Sequence, residues 1–301
     1  MRRLIKPYLW ARPDLIRRSV RAELRGRFGP RTAPITVTHV IGTPITVWPG
    51  DYVGRCVRRL GFYDLCVSET LLRLTDPGDM VVDAGANVGA MTAVLSRAAG
   101  RTGKVVCYEP QPRIAAVLQH NAARWSSSSA MAPVEVRRTA LGACTGTGWL
   151  GFPPGTRDPS DARLNVGDSA DEGLAEVAVS TLDEDLARAD VIKLDIEDGE
   201  DAALRGATRL LSTRATRDVV FEDFVLDTVG RSAVSDQLTA HGYSLFALGA
   251  RLRGLHSVPL AARAALDTLS EPPNYLATRD PDRAADRLHG PEWKLLSTAA
   301  H

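Results

Sequence analysis

The sequence predicts an α/β protein built on a mostly parallel, seven-stranded sheet with helices on both faces. The first observation is the run 81–89, an apolar strand that breaks into a glycine-rich turn at the start of a helix. The second is another apolar strand, 105–108, which ends at Glu109, twenty residues after Gly89. The third is the alternation of short apolar strands and helical segments farther along the chain. This order is typical of a Rossmann-like sheet that binds an adenosine-containing cofactor.

Three segments precede the first core strand. Residues 1–31 carry ten basic and two acidic side chains, a net charge of +8, and their apolar residues recur at helical spacing. This pattern predicts a basic amphipathic helix, which either caps the fold with a solvated arginine face or lies on an anionic membrane surface. Alternation over 35–47 predicts a β-hairpin, and 50–75 predicts a helical lead-in to the turn at 77–79. We therefore assign 1–76 to an N-terminal helical and hairpin extension.

The core elements follow in a regular order. The predicted strands are 81–83, 105–109, 134–141, 191–194 and 219–222, with an extra edge strand at 177–179. The predicted helices are 90–99, 113–125, 182–186, 202–211 and 234–241, and a terminal hairpin is expected at 243–248 and 252–255. Residues 151–173, rich in Gly, Pro, Asp and Ser, predict a long loop. The Rossmann-like domain thus spans 77–256, and 257–301 form a C-terminal tail.

Composition narrows the class of protein. A chain of 301 residues that is 44% hydrophobic suffices for one large α/β domain with appendages. The net charge of +1 gives no global reason to expect nucleic acid as a partner. The sequence has no apolar run long enough to span a bilayer and no signal-peptide pattern. The four cysteines form no Cys-x-x-Cys pair, which predicts reduced thiols in a cytoplasmic protein.

The glycine-rich turn favours S-adenosylmethionine over a dinucleotide. In the dinucleotide fingerprint a pyrophosphate sits on the helix N-terminus, and the carboxylate of Asp83 would repel it. The same carboxylate would attract the ammonium group of a methionine moiety. Gly85 and Gly89 lack a Cβ and would let the backbone approach the ligand closely. Asn87 tolerates the left-handed conformation and offers both donors and an acceptor.

The acid after the second strand completes the predicted cofactor site. Glu109 can accept hydrogen bonds from both ribose hydroxyls, and Pro110 ends the strand. The expected cofactor-binding residues are Asp83, Gly85, Asn87, Gly89, Glu109, Pro110, Ala140 and Asp195.

Several carboxylates should converge where the strands end. Asp83, Glu109, Asp195 and Glu222 each lie at or near the carboxyl end of a strand, where open α/β sheets bind ligands. Their mutual repulsion has to be offset by bound protons or by cations. The sulfonium and ammonium groups of the cofactor, or a divalent metal, would supply the cations. No residues are assigned to a metal.

A base is needed to take the proton of an alcohol acceptor. Asp195 is the first candidate and Glu222 the second. Lys193 either pairs with a carboxylate or, with its pKa lowered by burial, acts as a base. His241 and His256 are alternatives, although a lone histidine is more often structural.

Four blocks of the chain resemble the FkbM family of S-adenosylmethionine-dependent methyltransferases. They are Pro77-Gly78-Asp79 through Asn87-Val88-Gly89, Gly103-Lys104-Val105 through Tyr108-Glu109-Pro110, Ser180-Thr181-Leu182-Asp183, and Ile192-Lys193-Leu194-Asp195-Ile196-Glu197 with Leu204-Arg205-Gly206-Ala207. The family usually shows Asp-Val-Glu-Gly-Ala-Glu after the lysine, whereas this chain has Asp198 where the family has glycine. If that glycine gives a tight turn, Asp198 must adopt its conformation or the turn must shift.

The resemblance implies a class I methyltransferase fold, S-adenosylmethionine as cofactor, and O-methylation of a hydroxyl on a secondary metabolite or sugar. The expected partner is therefore a small hydroxylated molecule, with no nucleic acid and with possible weak membrane-surface contact through residues 1–31. One alternative is an NAD-dependent oxidoreductase, which Asp83 and the absent third glycine of the fingerprint disfavour. Another is a non-catalytic binding module, for which Asp198 is the one hint.

Overall fold

The structure of the chain is a computed structural model. It describes residues 13–26, 33–151, 163–165, 175–226, 230–251, 254–265, 273–290 and 292–297. Most of the predicted 151–173 loop and both ends of the predicted 1–31 helix lie outside these residues. No helix in the described ranges is both long and apolar enough to cross a membrane.

The described elements alternate along the chain much as predicted. The helices are α1 Pro13–Gly26, α2 Tyr52–Leu60, α3 Leu65–Leu74, α4 Ala90–Ala99, α5 Pro112–Trp125, α6 Leu182–Asp185, α7 Glu200–Arg205, α8 Thr208–Ser212, α9 Ala233–Ala240, α10 Pro281–Leu288 and α11 Lys294–Ser297. The strands are β1 Ile35–Thr38, β2 Pro44–Val47, β3 Met80–Ala84, β4 Lys104–Tyr108, β5 Val134–Arg137, β6 Thr139–Leu141, β7 Gly146–Gly151, β8 Arg163–Asn165, β9 Ala175–Ser180, β10 Val191–Leu194, β11 Asp218–Glu222, β12 Ser244–Arg251, β13 Gly254–Pro259 and β14 Asn274–Thr278.

The main sheet has eight strands in the order β13-β12-β14-β11-β10-β3-β4-β5. The block β5-β4-β3-β10-β11 is parallel throughout. The strands β14, β12 and β13 complete the sheet with antiparallel pairings. The predicted Rossmann-like α/β fold is confirmed, with one strand more than the predicted seven. The additional strand is β14, which was not predicted, whereas β12 and β13 pair as the predicted terminal hairpin at the edge of the sheet.

Both faces of the sheet are covered, because successive residues of a strand point to opposite sides. Val81 packs in a cluster with α3, α4, α10 and α11, whereas Val82 packs in another with α7, α8 and α9. A strand buried on both faces has a continuous apolar sequence, which explains why the core strands were recognisable.

The C-terminal part of the chain corrects the predicted domain boundary. Residues 257–301 were expected to form a tail, but β14 lies between β11 and β12 in the main sheet. All five of its residues are buried. Glu69 of α3 accepts hydrogen bonds from the backbone N–H groups of Lys294 and Leu295 at 2.9 and 2.8 Å, and so caps α11. A strand of five residues within Pro- and Arg-rich sequence is too short for its hydrophobic periodicity to be recognised. Whether such a segment joins a sheet depends on the side chains that pack against it.

A second sheet of four strands, β6-β9-β7-β8, stands apart from the main one. The predicted strand 134–141 is divided between the two sheets, with β5 in the main sheet and β6 in the second. The predicted edge strand at 177–179 belongs to β9, which pairs with β6 and β7 and not with the main sheet. Strand β8, which pairs antiparallel with β7, lies in the region that was predicted to be a loop.

The N-terminal elements pack on the same core. The predicted hairpin is confirmed as β1 paired antiparallel with β2. It is held by Asn121 of α5, whose side chain binds the backbone N–H and C=O groups of Thr46, each at 2.8 Å. Helix α3 lies deep in the protein, with Leu65, Leu71 and Leu74 fully buried beside core-strand residues. Residues 65–76, which we assigned to the N-terminal extension, therefore pack as part of the Rossmann-like domain.

We expect buried His39 to make stability depend on pH. Burial, with a smaller effect from the Arg18 guanidinium, lowers the pKa of His39 to about 3. Below a pH of about 6.5 the unfolded chain binds a proton at this histidine that the folded protein excludes, so stability falls by about 1.4 kcal/mol per pH unit. Urea unfolding near pH 7 and pH 5 should therefore show a smaller loss of stability for His39→Gln than for wild type.

The control for this measurement is His120→Gln, a substitution at an exposed histidine of α5. It should keep the wild-type pH dependence. Equal pH dependence in wild type and His39→Gln would contradict the assignment.

Candidate active site

A cavity opens at the carboxyl ends of β3, β4, β6 and β10. The cavity and the open solvent that adjoins it have a volume of about 1130 Å³. The lining residues come from the α2–α3 region, the glycine-rich turn, three strand ends and the second sheet. They are Tyr52, Val53, Tyr63, Gly85, Ala86, Asn87, Ala90, Met91, Tyr108, Glu109, Pro110, Gln111, Ile114, Thr139, Ala140, Leu141, Leu150, Leu164, Lys193, Asp195, Ile196, Glu197 and Gly199.

The glycine-rich turn has the predicted backbone shape, but its two glycines serve packing within the protein. Asn87 is left-handed, with a φ of 50°. Gly85 has a φ of 72°, and a Cβ there would lie 1.8 Å from the carbonyl oxygen of Asp195. Gly89 has a φ of 94°, and a Cβ there would lie 2.8 Å from the Leu118 side chain. Gly85 thus allows the ends of β3 and β10 to meet. Gly89 allows α5 to pack and does not line the cavity, contrary to the expectation for it.

Asp83 and Lys193 form a buried ion pair on neighbouring strands. Asp83 Oδ1 lies 3.2 Å from Lys193 Nζ, a contact with the geometry of an ion pair and not of an aligned hydrogen bond. Asp83 Oδ2 accepts a hydrogen bond from the Thr92 hydroxyl at 2.6 Å. Asp83 is fully buried and does not line the cavity. We expected Asp83 to attract the ammonium group of the cofactor. In the structure its carboxylate instead pairs with the Lys193 ammonium inside the protein.

Lys193 remains a cation. Its ammonium donates to the carbonyl oxygens of Ala84 and Gly85 at 3.0 and 2.8 Å. Burial lowers the pKa of this lysine, but the nearby charges of Asp83, Asp195 and Glu109 outweigh burial and raise the pKa well above its usual range. This finding corrects the prediction of a lysine with a lowered pKa that acts as a base. The prediction that Lys193 pairs with a carboxylate matches the geometry.

Glu109 presents a nearly buried carboxylate to the cavity. Its Oε2 accepts from the backbone N–H of Asn87 and its Oε1 from that of Gln111, each at 2.9 Å. Burial raises the pKa of Glu109 to about 7, although the two backbone N–H groups oppose the shift. Each oxygen keeps a further lone pair, so the carboxylate can still accept hydrogen bonds from a diol. Pro110 and Ala140, also predicted to bind cofactor, line the same part of the cavity.

The segment after β10 contains Asp198, the residue that departs from the family pattern. Asp195 lines the cavity, and its Oδ2 lies 3.6 Å from Lys193 Nζ. Glu197 and Asp198 both have left-handed backbones, with φ values of 55° and 69°. Asp198 thus adopts the conformation that a glycine would favour there. Its carboxylate pairs with Arg163 of β8, which links this turn to the second sheet.

Glu222 does not fit the role of a base. It ends β11 beside Asn274 of β14 and does not line the cavity. Burial and the charges of Asp195, Asp64, Glu197 and Glu200 raise the pKa of Glu222 to about 9. It therefore holds a proton at neutral pH, in which state it can donate a hydrogen bond but cannot accept a proton.

The two histidines named as alternatives also lie elsewhere. His241 follows α9, with Nδ1 3.4 Å from the Ser212 hydroxyl. His256 lies on β13, with Nε2 2.9 Å from the Arg251 guanidinium. Neither lines the cavity. No group of three or more His, Cys, Asp or Glu side chains suited to a metal ion occurs among the residues that the structure describes.

Tertiary packing adds cavity residues beyond the predicted cofactor-binding and catalytic residues. Tyr52 of α2 and Tyr63 before α3 meet edge to face, with ring centroids 6.0 Å apart. Leu150 of β7 and Leu164 of β8 form an apolar wall from the second sheet. No motif marks these residues, because the second sheet was not predicted and an isolated Tyr or Leu resembles any core residue.

We expect ligand binding at Glu109 to depend on pH in a predictable direction. Only the ionised carboxylate can accept two ribose hydroxyls in addition to its two backbone N–H groups. With a pKa of about 7, its ionised fraction rises about tenfold between pH 6 and pH 8. S-Adenosylhomocysteine should therefore bind up to about tenfold more tightly near pH 8 than near pH 6, as measured by isothermal titration calorimetry.

A matched pair of variants separates Glu109 from general charge effects. Glu109→Gln should bind about tenfold more weakly or worse and lose the pH dependence, since a charged hydrogen bond contributes about 1.5–3 kcal/mol. Glu135→Gln, which removes a partly exposed carboxylate on neighbouring β5, should behave as wild type. A flat pH profile for the wild type would refute the role given to Glu109.

Comparison with known proteins gives one family assignment. The model of the methyltransferase FkbM domain matches residues 83–243, which span the glycine-rich turn, the Lys193 block and β11. A tRNA (adenine(57)-N(1)/adenine(58)-N(1))-methyltransferase, TrmI, from Methanocaldococcus jannaschii is 47% identical over 47 residues. That segment covers 16% of this chain and 17% of the relative.

Solved structures with similar folds are more distant in sequence. An FkbM methyltransferase from Methylobacillus flagellatus is 18% identical with a TM-score of 0.43, and the match covers 67% of this chain and 44% of that one. An S-adenosylmethionine-dependent O-methyltransferase from Thermotoga maritima is 15% identical with a TM-score of 0.39, covering 85% and 80%. The chain thus spans less than half of that FkbM structure and a small part of the curated relative. Because the family model covers more than half of the chain and confirms the resemblance seen in its motifs, the chain belongs to the FkbM methyltransferase family.

Proposed function

We propose that this protein transfers a methyl group from S-adenosylmethionine to a hydroxyl oxygen of a small molecule, a secondary metabolite or a sugar. The observation that supports this most directly is the placement of Glu109 and Asp195 on one cavity, at the carboxyl ends of β4 and β10. Between these strands lies β3, whose end continues into the left-handed turn at Gly85 and Asn87.

The residues present fit the cofactor. Glu109 would hold the ribose hydroxyls, and the apolar side chains Ile114, Leu150 and Leu164 would cover the adenine ring. When bound, S-adenosylmethionine supplies an activated methyl group on a sulfonium, which leaves readily as a thioether. The positive charge of that group suits a cavity whose lining includes three carboxylates, those of Glu109, Asp195 and Glu197.

Asp195 is the residue best placed to take the proton of the acceptor hydroxyl. It lines the cavity and its side chain is 27% exposed, so an acceptor can reach it. Of the other two candidates, Lys193 is held as a cation and Glu222 holds its own proton. Their states leave Asp195 as the remaining candidate for the base. The protein's other contribution is alignment, since methyl transfer requires the acceptor oxygen about 3 Å from the methyl carbon.

The charge of the cavity favours an uncharged acceptor. The carboxyl groups of Glu109, Asp195 and Glu197 line the cavity, and Lys193, a basic residue of the lining, is paired with Asp83. A phosphorylated or carboxylated acceptor would be repelled here, and so would a nucleic-acid backbone. Hydroxyl groups can instead donate hydrogen bonds to these carboxylates. A cytoplasmic location and a place in secondary metabolism stay predictions.

The proposed function is tested by binding and then by transfer. Calorimetry should show that S-adenosylmethionine and S-adenosylhomocysteine bind with micromolar dissociation constants and that NADH does not bind. Methyl-labelled S-adenosylmethionine should then label a member of a panel of hydroxylated metabolites and glycosides. Binding of NADH in place of the other two would favour the oxidoreductase. Cofactor binding without transfer to any panel member would favour the non-catalytic module.

We expect Asp195→Asn to separate chemistry from cofactor binding. The amide keeps the shape of the side chain but cannot accept a proton, so kcat should fall about 100-fold or more. Affinity for S-adenosylhomocysteine should stay within about threefold of wild type, since Glu109 is unchanged. The control is Asp236→Asn. Asp236 lies on α9 and its exposed carboxylate pairs with Arg231, so this variant should keep full turnover. Unchanged turnover of Asp195→Asn would remove Asp195 as the base.

A further inference from the structure

We propose that α1 is a membrane-surface helix that binds the headgroup region of an anionic bilayer. Three apolar side chains form an exposed row along it, with Ile16 44%, Val20 54% and Leu24 56% exposed. They are spaced four residues apart, so they lie on one face of the helix. Isolated exposed apolar residues are common, but a continuous row on a single helix face indicates a surface that is covered in use.

The opposite face of α1 is fixed to the protein, so the row points outward. Leu15 is 4% exposed and belongs to the main hydrophobic cluster. The Arg18 guanidinium donates to the backbone carbonyl oxygen of Thr38 in β1. From α2, Arg58 donates to the carbonyl oxygen of Ala22 at 2.8 Å, and Arg59 donates to the Ser19 hydroxyl at 3.2 Å.

The charge along one edge of the row is positive. Arg17 and Arg21 are exposed, and at 100° per residue they border the apolar row on one side. Residues 1–31 carry a net charge of +8, and since the whole chain carries +1, the other 270 residues carry −7. The positive charge of the protein is thus concentrated on the segment that includes the exposed row. An apolar face bordered by arginines is the pattern of helices that lie in the plane of an anionic bilayer.

The same observations disfavour two other occupants of this face. A nucleic-acid backbone would satisfy Arg17 and Arg21 but would leave Ile16, Val20 and Leu24 against phosphates and water. A second copy packed through the same face would bring its own arginines against these arginines. A bilayer interface offers apolar chains and anionic headgroups together.

The helix adjoins the candidate active site through α2. Helix α1 packs on α2, and Tyr52, the first residue of α2, lines the cavity and is 52% exposed. The contacts with α1 involve Val57, Arg58 and Arg59, in the carboxyl-terminal half of α2. Binding of α1 to a bilayer does not depend on the proposed function.

Co-sedimentation of the full chain with vesicles tests the binding. The chain should bind vesicles of equal parts phosphatidylcholine and phosphatidylglycerol much more strongly than vesicles of phosphatidylcholine alone. High salt should weaken this binding, because it screens charges at the surface. The triple variant Ile16→Ser, Val20→Ser, Leu24→Ser should lose at least about tenfold in binding, since it removes the apolar contact. These side chains are exposed, so its thermal unfolding should remain close to wild type.

Charge variants give a matched control. Arg17→Gln with Arg21→Gln should weaken binding about tenfold or more. Arg97→Gln with Arg101→Gln removes the same charge from exposed residues in and after α4, and it should bind as wild type. Three results would each overturn the proposal. They are no binding of wild type to anionic vesicles, equal binding by the triple variant, and a wild-type dimer in light scattering that the triple variant converts to monomer without any vesicle binding. These binding experiments do not require methyl transfer, so their results can be interpreted even if no transfer is detected.

Discussion

The buried ion pair of Lys193 with Asp83 is the contact on which the candidate active site depends. It joins the carboxyl ends of β10 and β3, the two neighbouring strands at the centre of the sheet. Removing two opposite charges from water costs several kcal/mol each, and close pairing with added hydrogen bonds offsets that cost. Lys193 has those bonds to Ala84 and Gly85, and Asp83 has one to Thr92. The pair therefore fixes the turn at Gly85 against β10.

The pair also assigns protonation states around the cavity. The negative charges of Asp83 and Asp195 keep Lys193 protonated, and Lys193 in turn helps Glu109 to ionise. Glu222, which is buried near the charges of Asp195 and Asp64, keeps its proton instead. Carboxylates at one sheet edge can coexist only when their protons and counter-charges are distributed in this way. The distribution is what distinguishes Asp195 from Glu222, although both are acids at strand ends.

Contacts remote in sequence complete the cavity. The second sheet supplies Leu150 and Leu164, and the Arg163–Asp198 pair ties it to the turn after β10. On the other side, β14 inserts beside β11, and Asn274 at its start donates to the Asp64 carboxylate at 2.9 Å. Asp64 also caps α3 through the backbone N–H of Val67. The wall near Tyr63 is therefore held by a strand that enters the sheet two hundred residues later in the chain.

The sequence by itself determined the parallel core, the glycine-rich turn with left-handed Asn87, and the acids Glu109 and Asp195 at the strand ends. These features are local, because strands buried on both faces are continuously apolar and ligands of open α/β sheets lie where strands end. Only the tertiary structure decided which acids face the cavity, which are buried or protonated, and that β14 belongs to the sheet. Residues distant in the chain determine how deeply an acidic side chain is buried and which charges lie near it, and the adjacent sequence does not identify those residues.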